Sequence, residues 1–320
     1  ADERKTLLAA GAAAGMAATF GSPVSAVLLA IELLLFEYRP RSIIPVALAS
    51  AAATGVRMVL VGPEPVFRMG AIAQPTGSAL AAYVVLGGIM GLAAAGATRA
   101  VYAIEDAFAR LPVHWMWWPA LGAVAVGIVG WTDPRTLGVG YEWIEEILAG
   151  QVAGATLLLF VILKFISWSV YLGSGTSGGT LAPLFIIGGG LGAIIGGTAD
   201  AVWPGLGIDP AVAALVGMAA IFAGASHALL ASVVFAFETT RQPLGLLPLL
   251  AGCSAAYLVM LLLMRHSIMT EKLARRGAAV RTEYALDFLS QILVRDVMSC
   301  DLVTLRADQR LGEGRAWLAS

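Results

Sequence analysis

The sequence predicts an all-α membrane protein, built as a bundle of tilted and broken helices with an internal repeat. Three observations carry that prediction. The 320 residues are 59% hydrophobic and only 13% charged, with a mean hydropathy of +0.83, whereas soluble domains carry about 25% charged residues. The apolar segments are interrupted by Gly and Pro instead of running as uniform spans. Two windows 206 residues apart repeat the same order of elements.

Taken in order, apolar stretches predict helices over 6–20, 23–36, 43–61, 78–111, 116–131, 155–172, 180–200, 210–223, 228–238, 244–265 and 267–276. A bilayer span needs roughly 20 residues at about 1.5 Å each, so several of these are too short to cross alone. Short segments joined at Gly21-Ser22-Pro23 and Gly224-Ala225-Ser226 have the character of the broken helices of transporters. The 78–111 stretch is long enough to cross at a steep tilt.

Placing Gly11–Glu32 over Gly217–Glu238 aligns Gly11/Gly217, Ala13/Ala219, Ala14/Ala220, Ala17/Ala223, Val27/Val233, Ala30/Ala236 and Glu32/Glu238. Alanine is common in both windows, so the shared order weighs more than the identities. Each copy has a small-residue helix, a polar break, a short apolar helix ending in one glutamate, and then a Pro-containing span near Pro45 or Pro248. Paired units with broken helices mark secondary-transporter architecture, with the site at the repeat interface.

The most informative segment is Gly173-Ser174-Gly175-Thr176-Ser177-Gly178-Gly179-Thr180-Leu181-Ala182-Pro183, set between two apolar helical stretches. Irregular backbone at membrane depth survives only where it faces protein or a polar cavity. Glycines let backbone approach a ligand closely, and the following helix aims unpaired N–H groups and a partial positive charge at the gap. The occupant this chemistry suits is an anion.

Other function classes receive little support. The net charge of −1 and the absence of a basic stripe interleaved with aromatics exclude nucleic acid as a partner. Two cysteines, Cys253 and Cys300, make no metal or disulfide framework. No cofactor, metal or enzymatic activity is expected. A rhomboid-like intramembrane serine protease, with Ser177 as nucleophile and His227 as base, is a remote alternative that leaves the repeat unexplained. After Arg265 polarity rises, and the basic run ending at Arg276-Gly277 places that end on the cytoplasmic side. The abrupt ends at Ala1 and Ser320 are those expected of a piece of a longer protein.

These residues resemble the chloride channel and chloride/proton exchanger family (CLC). Gly11 to Gly15 through Ser22-Pro23 and Ala30-Ile31-Glu32 look like the stretch after the family's gating motif. Gly173 to Pro183 looks like its Gly-Ser-Gly-x-x-Gly-Gly-x-Phe-x-Pro motif, and Ser267 to Leu273 like its last membrane helix. Val294-Arg295-Asp296-Val297-Met298 is similar to the opening of a cystathionine-β-synthase (CBS) domain. The resemblance implies a CLC-type membrane domain over 1–278, and over 279–320 a cytoplasmic linker with the start of a CBS-like domain. It also implies inverted repeats, a homodimer with one anion pore per subunit, a place in the plasma (inner) membrane, and a tail that can take a nucleotide in the full-length protein. Carried onto this chain, the amides of Thr180 and Leu181, presented by Gly178 and Gly179, hold chloride or a similar small anion.

The chain departs from the family at three positions. Leu181 replaces the usual Phe, which a backbone contact survives. Met269 stands at the pore-tyrosine position, removing a phenol donor. Exchangers carry an acid directly after the residue matching Glu32; here that proton-pathway position is Leu33, which cannot hold a proton. Glu37, one turn on, lies near Arg39 and Arg41 and is expected in a surface ion pair. The family's serine motif and gating glutamate precede the matched region, and Gly62-Pro63-Glu64-Pro65 is not that motif, so the chain holds about half of the expected anion site. Leu33 favours a passive chloride channel, with the proton-coupled antiporter as the alternative.

The remaining polar residues carry weaker expectations. Glu32 and Glu238 are read either as functional intramembrane acids or, from their symmetry, as capping or pairing groups. Lys164, in mid-span, faces an aqueous vestibule and attracts anions, or else snorkels. His114, among Trp115, Trp117 and Trp118, is interfacial. Tyr141-Glu142 with Glu145-Glu146 is a solvated helix face.

Overall fold

A computed structural model describes residues 2–277. The tail over 279–320, with its CBS-like segment, and the domain boundary before it lie outside the described residues. Every regular element among the described residues is a helix. Helix α1 spans Asp2–Phe20, α2 Pro23–Leu29, α3 Pro40–Leu60, α4 Gly77–Ala109, α5 Trp118–Thr132 and α6 Tyr141–Leu148. It continues with α7 Gly154–Gly173, α8 Leu181–Val202, α9 Pro210–Ser226, α10 Leu229–Thr240, α11 Leu246–Leu263 and α12 Glu271–Arg275. Five helices, Pro40–Leu60, Gly77–Ala109, Gly154–Gly173, Leu181–Val202 and Pro243–Leu263, are long and apolar enough to cross a membrane. At 33 residues α4 is about 50 Å long, well beyond a hydrocarbon layer of about 30 Å.

The centre of the molecule is α9, buried at every residue from Val212 to Ser226. Its partners reach it through missing side chains. A Cβ on Gly188 of α8 would stand 2.4 Å from the Gly217 carbonyl of α9, and one on Gly192 would stand 2.3 Å from the Ala213 carbonyl. The α4–α11 contact is the same in kind, since a Cβ on Gly87 would overlap the Gly252 backbone at 2.1 Å. In lipid, where tails are as apolar as leucine, this close backbone packing is what holds helices together. A second, smaller core of alanines (Ala9, Ala13, Ala17, Ala26, Ala30) with Leu35 and Val46 joins α1, α2 and α3.

The repeat is visible in the coordinates. With the same 206-residue offset, α1, α2 and α3 overlie α9, α10 and α11, and the left-handed cap at Gly21 (φ 61°) overlies His227 (φ 60°). The copies differ in where α2 and α10 end, the first running one residue further before its cap, while α3 and α11 again begin 206 residues apart. In the first, α2 widens into a π-helical turn over Ala30–Leu35, closed by Phe36 N–H on the Ile31 carbonyl. In the second, Arg241 N–H closes an ordinary α turn on Phe237. A π-turn is how a helix absorbs an inserted residue. Both copies then end in the left-handed region, at Phe36 (φ 53°) and Arg241 (φ 51°). Each of α2 and α10 has its N-terminus beside the other's C-terminal glutamate. The two therefore run antiparallel, as an inverted repeat requires.

One helix falls short of its expectation. The 267–276 stretch is helical only over Glu271–Arg275. Ser267 and Thr270 exchange side-chain hydrogen bonds with each other's amides, Ser267 N–H to Thr270 Oγ1 at 3.0 Å and Thr270 N–H to Ser267 Oγ at 3.3 Å, and this local pattern competes with helix. The acidic face expected at Tyr141–Glu146 is a helix, α6, with Glu142 in its first turn.

Candidate functional site

Helix α7 ends at Gly173 and α8 starts at Leu181, so the glycine-rich segment between them is non-helical. Its glycines have separate duties. Gly173 packs against α4, where a Cβ would stand 2.6 Å from Ile104, and Gly175 takes φ +81°. Gly178 and Gly179 are exposed, while Thr180 and Leu181 are half-buried. Among the described residues, the amides of Gly178, Gly179, Thr180, Leu181 and Ala182 donate to no other part of the chain. They are the unpaired donors that any helix start leaves, and here they precede a 22-residue helix.

Trp168 on α7 sets the orientation of this segment. Its Nε1–H donates to the Gly179 carbonyl at 3.3 Å. A trans peptide points C=O and N–H in opposite directions, so this bond turns the Thr180 N–H away from Trp168. The Thr180 hydroxyl contacts the Met269 sulfur at 3.8 Å, bringing together two positions 89 residues apart. The loop carrying Met269 is held in turn by Ile268 N–H on the Ala225 carbonyl (2.8 Å) and by the Tyr102 hydroxyl on the Ile268 carbonyl (2.7 Å).

On another side, Gly178, Gly179, Leu181, Ala182 and Pro183 line a cavity of about 720 Å³ together with Tyr141, Trp168 and Lys164. Lys164 is 4% exposed. It does not snorkel: Nζ donates to the carbonyls of Thr136 (2.8 Å) and Gly138 (3.0 Å). Two of its three N–H bonds are thereby directed, and the charge stays at the cavity wall. No carboxylate lines this cavity among the described residues, so nothing there neutralises the ammonium.

The loop that supplies those carbonyls is anchored by Asp133 and Arg135. Arg135 donates to the Asp133 carboxylate through Nε at 2.7 Å and Nη2 at 2.9 Å, and its guanidinium lies 5.7 Å from the ring centres of Trp143 and Phe160. The Arg135 hydrogen bonds hold the Asp133 carboxyl below the usual range, and Asp133 raises Arg135 in return.

Glu32 and Glu238 face the helix starts rather than the cavity. Glu32 accepts from the amides of Leu230 and Ala231, and Glu238 from those of Val24 and Ser25. This is the capping alternative. Leu33 is half-buried in the π-helical turn. Glu37 accepts from Ser42 and pairs with Arg39 at 3.5 Å. His114 accepts from the Met116 amide among exposed tryptophans. His227 Nε2 has no hydrogen-bond partner, and among the described residues no hydrogen bond joins Ser177 to His227. Sequence reasoning passed over Trp168 and the Asp133–Arg135 anchor, and it missed the mismatch of His227 with Gly21 that the repeat overlay itself contains.

A sequence profile described as the voltage gated chloride channel matches residues 1–261. The chain belongs to this family. The H+/Cl− exchange transporter ClcA of Vibrio parahaemolyticus is 28% identical over 280 residues, covering 86% of this chain and 60% of that protein. The protein of the same name from Salmonella arizonae is 30% identical over 296 residues, covering 89% and 62%. This family member thus spans about three-fifths of the length of the curated relatives it matches. Among solved structures, a slow cyanobacterial Cl−/H+ antiporter superimposes with a TM-score of 0.76 at 25% identity, covering 85% of this chain and 64% of that one. A eukaryotic CLC transporter gives 0.70 at 26% identity, covering 85% and 46%. The relatives carry exchanger names, which weighs against the channel preference drawn from Leu33.

Proposed function

We propose that this protein moves chloride or a similar small anion across a membrane in exchange for protons. The observation that carries the reading is the array of unpaired amides at 178–182 opening a long helix, with Gly178, Gly179, Leu181 and Ala182 sharing a cavity wall with the buried Lys164 ammonium. Backbone amides and one offset cation hold an anion without trapping it, and transport requires release as much as binding. Gly178, Gly179, Thr180 and Leu181 present the amides, with Met269 across from Thr180. The Thr180 hydroxyl has the Met269 sulfur beside it, a soft, weak acceptor that leaves the hydroxyl free to turn to an anion.

Exchange, rather than passive conduction, is supported by the names of the relatives and of the superimposable antiporter. Leu33 favours the passive channel as the second reading. The homodimer, the inner-membrane location with the Lys272–Arg276 end cytoplasmic, and a nucleotide at the tail belong to the same reading and rest on the resemblance. The deciding experiment is anion flux from liposomes recorded with a pH probe. A chloride gradient should drive protons uphill, and chloride flux with no proton movement would return the channel.

A further inference from the structure

The contact between Thr180 and Met269 joins two peptides that are held from behind in the same way. Trp168 donates to the Gly179 carbonyl, on the peptide that leads into Thr180. Tyr102 of α4 donates to the Ile268 carbonyl at 2.7 Å, on the peptide that leads into Met269. Each aromatic donor fixes one planar peptide. The residues that follow are the ones that meet, with the Thr180 hydroxyl 3.8 Å from the Met269 sulfur.

Tyr102 has the wider reach of the two donors, because its helix touches both walls of this gap. Gly173, where the amide segment leaves α7, lies so close to α4 that a Cβ would stand 2.6 Å from Ile104 and 3.2 Å from the Glu105 amide nitrogen. On the other wall, α4 grips the chain on either side of Met269. Arg99 donates to the Leu263 carbonyl at 3.2 Å, Glu105 pairs with Lys272 at 2.8 Å, and Asp106 pairs with Arg275 at 2.8 Å. The spacing of 99, 102, 105 and 106 puts these groups on one stripe of the helix. Arg275 also lies over the Tyr102 ring, 4.7 Å from its centre. The Arg99 and Asp106 bonds are exposed, where such contacts hold weakly. The Tyr102 bond is buried.

We infer that Tyr102 is a positioning residue for the anion site, whose hydroxyl sets the gap between Met269 and Thr180 and with it the size of anion admitted. Tyr102 acts through the Ile268–Met269 peptide and touches no anion itself. Without its hydrogen bond that peptide is free to rotate, and Met269 no longer crowds Thr180. A larger, flat anion such as nitrate then gains on chloride. The inference rests on the amides of 178–182 lying on the anion path, and it holds with or without proton exchange.

The test compares chloride and nitrate efflux from liposomes holding the reconstituted protein, with thermal unfolding in detergent alongside. Tyr102→Phe keeps the ring beneath Arg275 and removes only the hydroxyl. Its nitrate-to-chloride flux ratio should rise about threefold or more, the scale of one lost hydrogen bond. Met269→Ala should raise the ratio as well. Adding Tyr102→Phe to it should change nothing further, since the contact through which Tyr102 acts is already gone. Glu105→Gln weakens another grip of the same stripe and should leave the ratio at the wild-type value. A wild-type ratio in Tyr102→Phe or in Met269→Ala would overturn the inference and leave anion transport standing. So would effects that multiply in the double variant, or an equal shift from Glu105→Gln. A Tyr102→Phe protein that does not fold would overturn it too, because the bond would then serve the fold and not the gap. Wild type that passes neither anion would overturn the transport reading beneath it.

Discussion

Glu32 and Glu238 cap each other's repeat. The carboxylate of Glu32 accepts from Leu230 and Ala231 at 3.1 and 3.0 Å, and that of Glu238 accepts from Val24 and Ser25 at 3.0 and 2.8 Å. Each bond of one pair maps onto a bond of the other at the repeat offset. Four helix-start amides, two at exposed positions (Val24 and Leu230) and two part-buried, are satisfied by two acids, and a negative charge meets the positive end of each helix.

The reciprocity makes the first prediction. Replacing either acid with Ala should lower stability by similar amounts, about 1–3 kcal/mol each. The two caps lie at opposite ends of short helices, about 12 Å apart along the axis, so the double variant should be close to additive. Thermal unfolding in detergent measures this. Marked destabilisation from one acid and none from the other would contradict the paired role.

At the amide array, Thr180→Pro removes one free donor, and its ring conflicts with the φ of −102° there. Anion flux should fall about tenfold or more, in line with losing a preorganised donor. Thr180→Ala keeps the amide and drops only the hydroxyl beside Met269, so flux should stay within a few-fold. Equal flux from the proline variant and wild type would remove the amides from the anion path.

Lys164 has both a structural and an electrostatic share. Lys164→Met should strand the carbonyls of Thr136 and Gly138 at a cost of about 1–3 kcal/mol. It should also weaken anion flux most at low ionic strength, where an unscreened charge reaches furthest. Lys164→Arg should restore most of the flux. A methionine variant whose flux matches wild type at every salt concentration would confine Lys164 to a structural role.

Asp133 supplies a pH dependence. Its carboxyl is held below the usual range by Arg135, so the unfolded chain binds a proton more readily than the folded one. The pair's contribution is fully present above the ordinary carboxylate range near pH 4 and is lost as pH falls through the lowered folded value. Asp133→Asn should be less stable than wild type by about 1–2 kcal/mol at neutral pH. The two proteins should converge below about pH 4. A gap that persists unchanged in acid would show that the ion pair is not its source.

How much of this was legible beforehand depended on the range of the interaction. The helix break at 173–180, the copies at offset 206 and the length of α4 were all readable, because apolar runs and Gly or Pro interruptions act within a few residues. The helical failure at 267–270 was not, although its cause is as local: the Ser267–Thr270 exchange looks in sequence like any polar pair at helical spacing. The channel preference rested on a single position, Leu33, and the exchanger names of the relatives weigh against it.

What the sequence by itself determined was that helices would break at membrane depth and leave amides unpaired there, since backbone polarity and residue size decide that locally. Only the tertiary structure decided what those breaks meet: Met269 against Thr180, Lys164 at the cavity wall, and Glu32 on a helix 198 residues away. Those contacts depend on how antiparallel copies of one unit interlock, and interlocking is set by the whole packed surface, which no window of the chain contains.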